Sequence, residues 1–137
     1  MGRIVVGVDG SNSSRSALRW AASEAERTGA ELQVVMTWHN PYPEMWIPHD
    51  PSGTDPLELT RRALDRIVKG VLGDHPAVKV ETSAIEGPAA RVLIETAKGA
   101  DLLVVGNRGL NEFVEMLLGS VSLHCVSRAS CPVVVVR

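Results

Sequence analysis

Four short stretches of the chain are almost wholly apolar: residues 3–8 (RIVVGV), 32–38 (LQVVMTW), 102–105 (LLVV) and 133–136 (VVVV). Runs this short and rich in β-branched residues, with no polar face, are the pattern of parallel strands covered on both sides. A fifth stretch, 78–85 (VKVETSAI), alternates instead, with Val78, Val80, Thr82 and Ala84 on one side. One solvated face suits a strand at the edge of a sheet.

Between these strands, apolar residues recur every three or four positions, which gives each intervening helix a single stripe to lay on the sheet. Ala17, Leu18, Ala21, Ala22 and Ala25 form the first stripe. In the second helix Asp55 can cap, Pro56 can occupy the first turn and Glu58 can complete a capping box ahead of Leu64, Ile67, Val68 and Val71. Pro88 opens a third helix with Ala90, Leu93, Ile94 and Ala97 inward; a fourth places Val121, Cys125, Val126 and Ala129 inward before Pro132 stops it. Regular alternation of strand and helix predicts an α/β fold, an open five-stranded parallel sheet with helices on both faces.

With 137 residues, 45% of them hydrophobic, the chain fits one domain over residues 1–137 with a core of its own. The exception to compactness is 40–56 (NPYPEMWIPHDPSGTDP), which holds five of the eight prolines. It is expected to be a solvated insertion or a mobile loop, and Tyr42 and Trp46 give it apolar surface that could fold over a neighbouring site.

Charge narrows the partners. Fourteen Lys and Arg against sixteen Asp and Glu give a formal net charge of −2 with no run of like sign, so neither nucleic acid nor an anionic membrane is an expected partner. No apolar run approaches the roughly 20 residues a membrane-spanning helix needs. The opening MGRIVVGVDG runs into a strand pattern without the layout of a signal peptide, which predicts a cytoplasmic location. Cys125 and Cys131 are expected to be thiols of a reducing compartment, and His39, His49, His75 and His124 show no ligand spacing, so no metal site is expected.

In an open parallel sheet, ligands bind beyond the carboxyl ends of the strands, where the strand order reverses. Two clusters of small polar residues lie at such ends: DGSNSS (9–14) after the first strand and GNRG (106–109) after the fourth. The second cluster runs on to Gly119, Ser120, Val121 and Ser122 at the start of the fourth helix, where glycines, open helix amides and hydroxyls could together cradle an anion. The same glycines would also serve a tight strand-to-helix turn. Two familiar cradles are excluded, because no GK dipeptide is present for a Walker loop and GVDGSN after the first strand fails the dinucleotide fingerprint. Asp9 as a phosphoacceptor would need further carboxylates and a lysine that cannot be placed beside it.

The spacing GxxG, nine residues, then GS, realised as Gly106, Gly109, Gly119 and Ser120, resembles the ATP-binding signature of the universal stress protein family. RIVVGVDGS, GAELQVVMTWH, EGPAARVLIETAKGADLLVVGNRG and LLGSVSLHCVSRASCPVVVVR are similar to that family in order and spacing, over nearly all of the chain except the proline-rich stretch. The resemblance implies a Rossmann-like sheet of order 3-2-1-4-5 and a homodimer paired through the strand Val133 to Val136. It implies ATP as ligand, with Asp9 and the backbone at Gly7 near the ribose and the Thr37 backbone at the adenine. Gly106, Asn107, Arg108 and Gly109 would wrap the ribose and first phosphates, with Arg108 as a charge partner. Gly119, Ser120, Val121 and Ser122 would hold the outer phosphates, and magnesium would be held mainly by phosphate oxygens.

One departure bears on affinity. Asn111, Glu112 and Glu115 stand where small or basic residues are frequent in the family, and carboxylates near a triphosphate repel it, so AMP or ADP are alternative ligands. The implied role is a nucleotide-responsive regulatory or stress-tolerance protein and not a fast catalyst, since no general base paired with a nucleophile can be named and any ATP hydrolysis would be slow. An adenylyl-transferring enzyme would need motifs such as HxGH or SGGxDS, which are absent. An interaction module of the same fold with weak or lost nucleotide binding is the other alternative.

Overall fold

The computed structural model describes residues 2–39, 55–107 and 119–137. Among them the order of elements is β1 (Arg3–Gly7), α1 (Asn12–Thr28), β2 (Glu31–Trp38), α2 (Pro56–Leu72), β3 (Val80–Glu86), α3 (Ala89–Thr96), β4 (Leu102–Gly106), α4 (Ser120–Arg128) and β5 (Val133–Val136). The five strands form one parallel sheet in the order β3-β2-β1-β4-β5. The alternating strand β3 is therefore an edge, as its pattern predicts, and the valine strand β5 is the other. β1 lies between β2 and β4, with Val6 opposite both Val34 and Val104.

Side-chain alternation divides the core into two layers. Ile4, Val6, Leu32, Val34 and Val104 face one side and pack with Ala17, Leu18, Ala21 and Ala25 of α1 and Leu64 and Ile67 of α2. Val5, Val35, Leu103 and Val105 face the other, against Val92, Leu93 and Ala97 from the α3 region and Cys125 of α4. Burial on both faces is why, after Arg3, the β1 and β4 runs contain no polar residue.

Helix ends follow local chemistry. Ser11 caps α1 by accepting from the Ser14 amide at 3.2 Å, and Gly29 ends the helix at φ 76°, a left-handed turn that glycine takes without a Cβ clash. Asp55 caps α2 by accepting from the Leu57 amide at 2.9 Å, with Pro56 in the first turn. Glu58 departs from the capping-box expectation: its carboxylate pairs with Arg62 one turn on. Residues 40–54 lie outside the described residues, so of the 40–56 stretch only Asp55 and Pro56 are placed, both at the start of α2.

The inward faces of the last two helices need correction. In α3, Val92 is buried beside Leu93 and Ile94 packs against the same cluster, whereas Ala90 is only half-buried. In α4, Val126 is 49% exposed; the buried stripe is Ser122 and Cys125, with Val121 and Ala129 at its margins. Successive helical residues are about 100° apart, so with Cys125 inward Val126 must turn to the flank.

Candidate functional site

The carboxyl ends of β1 and β4 stand side by side, and the residues after them are joined by close packing. A Cβ added to Gly106 would lie 2.8 Å from the Ser13 carbonyl carbon and 2.6 Å from its Oγ, so the end of β4 sits directly on the first turn of α1. Ser13 of the first cluster and Gly106, the first residue of the second, are therefore in contact. Gly7 also permits a close approach, since a Cβ there would meet Leu93 Cδ1 at 2.7 Å.

On the α1 side the cluster is a folded turn. The Ser11 amide donates to Asp9 Oδ1 at 2.9 Å, the Asp9 amide donates to Ser14 Oγ at 3.3 Å, and the Ser14 hydroxyl donates to the Ser11 carbonyl at 2.9 Å. Gly10 between them has φ 88°, a conformation that strains other residues. Asp9 thus organises the turn through one carboxylate oxygen and remains half-buried at the strand end.

On the other side, the Gly119 amide donates to the Asn107 carbonyl at 2.7 Å, which sets the start of α4 against the end of β4. Gly119 is the N-cap and supplies no side-chain capping bond. The amide of Leu123 returns to the Gly119 carbonyl at 3.0 Å, and those of Ser120, Val121 and Ser122 precede the first intrahelical bond. No acidic residue stands in that first turn, so the partial positive charge of the helix end is not neutralised from within it. The Ser122 hydroxyl is 2% exposed at the residue level and donates to the Gly119 carbonyl at 2.9 Å, with the Asn107 carbonyl at 3.4 Å. Ser120 is exposed.

Asn107 has a further tie that the sequence gives no sign of: its amide donates to the carbonyl of Val136, the last residue of β5, at 2.8 Å. Ser13 likewise frames the site without standing out in the sequence, because its part depends on a glycine 93 positions away. Thr37 is half-buried near the end of β2, opposite Ile85 of β3, and the next residue, Trp38, accepts from the Gly87 amide at 2.8 Å. Among the described residues, two buried side-chain polar atoms have no hydrogen-bond partner, Trp38 Nε1 and Asn107 Oδ1; both belong to residues at carboxyl ends of strands. Arg108 and Gly109, with Asn111, Glu112 and Glu115, lie outside the described residues.

Among the described residues no group of three or more His, Cys, Asp or Glu is arranged to hold a metal ion, and no helix is long and apolar enough to cross a membrane. Cys125 and Cys131 are free thiols. Burial pushes the Cys125 thiol up to about 11, with Cys131 nearby adding to the effect.

The model of the universal stress protein family matches residues 1–137, the whole chain. The chain belongs to that family. A universal stress protein of Mycolicibacterium smegmatis is 38% identical over 141 residues, a match covering 98% of this chain and 47% of the relative. This chain spans about half the length of that relative and of the Mycobacterium tuberculosis universal stress proteins it matches at 31% identity. Among solved structures, a universal stress protein in complex with cAMP superposes with a TM-score of 0.69 at 29% identity, covering 99% of this chain and 96% of that one. A universal stress protein of Archaeoglobus fulgidus in complex with dAMP gives a TM-score of 0.71 at 21% identity, covering 100% and 98%, which supports the fold.

Proposed function

We propose that this domain binds an adenine nucleotide in the crevice between the ends of β1 and β4 and acts as a nucleotide-responsive regulatory protein, without fast catalysis. The observation that carries this reading is the bond from the Gly119 amide to the Asn107 carbonyl. It holds the amide end of α4 beside Gly106, while Gly106 rests on the capped first turn of α1. An anion at the α4 terminus would meet the amides of Ser120, Val121 and Ser122 and the exposed Ser120 hydroxyl, in a helix-end field that favours negative charge. The cAMP complex of the 29% identical relative supports the same class of ligand.

ATP is the proposed ligand, with AMP and ADP as alternatives, and magnesium would be held mainly by phosphate oxygens. Gly7, Asp9 and Thr37 would line the nucleoside side, while Gly106 to Gly109 would wrap the sugar and first phosphates. Because the Ser122 hydroxyl is engaged with backbone carbonyls, its contribution to phosphate would come through its amide. We also propose a cytoplasmic homodimer paired through Val133–Val136, an all-valine edge strand that would otherwise invite uncontrolled pairing.

Calorimetric titration of nucleotide-freed protein with ATP and magnesium, followed by product analysis, tests the reading. Saturable submillimolar binding with one nucleotide per chain and negligible turnover is expected. Turnover of about 1 per second or faster would assign an enzyme instead. Absence of heat with ATP, ADP and AMP would leave a module that has kept the fold and lost the ligand.

A further inference from the structure

The Asn107 side chain is nine-tenths buried, and its oxygen accepts from no described residue, although both of its backbone groups are bonded, the amide to Val136 and the carbonyl to Gly119. A buried acceptor without a donor is costly, and in folded proteins such an atom is nearly always satisfied by protein, water or ligand. This acceptor belongs to the residue whose carbonyl holds the start of α4, where the surrounding amides favour an anion. A phosphate that carries no proton cannot satisfy it, because it offers only further acceptors. A ligand group that can satisfy a carboxamide oxygen is an O–H close to the phosphate. In a nucleotide that group is a sugar hydroxyl.

We infer that Asn107 Oδ1 accepts a hydrogen bond from a sugar hydroxyl of the bound nucleotide and makes the site selective for nucleotides that carry that hydroxyl. This rests on the nucleotide reading above and adds a specificity-determining side chain to it. Removing the hydroxyl from the ligand takes that donor away from the acceptor. A site built to bond a hydroxyl discriminates against the analogue lacking it far better than an apolar pocket does.

The test is calorimetric titration of wild-type protein, Asn107→Leu and Asn107→Asp with ATP, 2′-deoxy-ATP and 3′-deoxy-ATP, each with magnesium and with EDTA. Circular dichroism confirms that each variant is folded. Wild type is expected to bind ATP roughly 5- to 30-fold more tightly than one of the two deoxy analogues, with and without magnesium. Asn107→Leu, of similar shape but lacking the acceptor, should lose that preference. Asn107→Asp, which keeps an acceptor and adds charge, should keep the preference while binding all three more weakly. Equal wild-type affinity for all three nucleotides would overturn the inference and leave the nucleotide reading intact, and this comparison needs no variant. A preference that survives in Asn107→Leu, or appears only with magnesium, would also overturn it. So would an equal loss for all three nucleotides in Asn107→Leu, which would assign the side chain to phosphate through its nitrogen. Failure of every nucleotide to bind would overturn both.

Discussion

Gly106 and Ser13 are packed so closely that no side chain fits between them: a Cβ on Gly106 would stand 2.8 Å from the Ser13 carbonyl carbon and 2.9 Å from its oxygen. Both obstacles are backbone atoms of a capped helix, so relief requires moving α1 away from the sheet. Gly106→Ala should lower stability by about 1–3 kcal/mol in urea unfolding, the usual cost of overpacking. Gly7→Ala should cost less, because the atoms it meets are the terminal methyls of Leu93, which can rotate. The reverse order of the two losses would contradict this account of the crevice.

At the opposite end of the sheet, Arg3 fastens α3 to β1. Its guanidinium donates to the carbonyls of Thr96 and Lys98 at 2.9 Å each and to Gln33 Oε1 at 2.8 Å. The backbones of Arg3 and Asp101 add reciprocal bonds, with the Arg3 amide on the Asp101 carboxylate and the Asp101 amide on the Arg3 carbonyl. Arg3→Met keeps most of the stem and removes the donors, leaving carbonyls at the end of α3 unpaired. Thermal unfolding should report a loss of about 1–3 kcal/mol. ATP affinity at low temperature should be unchanged, since Arg3 lies at the amino end of β1.

Much of the fold is legible in the sequence because it is written in local patterns. The apolar runs of β1 and β4 reflect burial on both faces, the alternation of β3 reflects its edge position, and Ser11, Asp55 and Pro56 mark helix starts by their own bonding chemistry. What is not legible depends on three-dimensional partners. Val126 has the spacing of a core residue and turns outward because Ser122 and Cys125 already take the inner face of α4. Ser122, singled out as a ligand donor, also serves as an internal tie, a role set by how close Gly119 and Asn107 come. Near the carboxyl ends of β1 and β4, Gly106 and Gly119 stand out in the sequence by residue type, but the contact of Ser13 with Gly106 and the bond from Asn107 to Val136 join residues far apart in the chain.

The β5 edge gives a test of self-association. The Leu103 amide donates to the Pro132 carbonyl and the Asn107 amide to the Val136 carbonyl, so by the alternation of a parallel ladder Val134 also faces β4, while Val133 and Val135 direct their backbone groups to the open edge. Val135→Pro removes an outward N–H and spares the ladder to β4. Sedimentation equilibrium at micromolar concentration should find wild type dimeric and Val135→Pro shifted to monomer, with far-ultraviolet circular dichroism preserved. A monomeric wild type would refute pairing through β5.

Cys125 predicts the direction of an alkaline stability change. Its folded-state value of about 11 lies above its ordinary 9.0, so between these values the unfolded chain gives up a proton that the folded chain keeps. Folding stability should therefore be fully retained below pH 9 and fall as pH rises toward 11. Cys125→Ala should flatten that part of the profile in urea unfolding at pH 8, 9, 10 and 11. At neutral pH a thiol reagent should modify half-buried Cys131 well before fully buried Cys125. Equal rates, or a pH profile identical in Cys125→Ala, would contradict this.

Amide NMR spectra of labelled protein titrated with ATP and magnesium test the placement of an adenine nucleotide between the α1 cap turn and the amide end of α4. Saturable shifts are expected at Gly7, Asp9 to Ser14, Gly106, Asn107 and Gly119 to Ser122, with Arg3, Lys79 and Asp101 at the far end of the sheet unmoved. Shifts confined to the far end, or no shift at millimolar ATP, would contradict it.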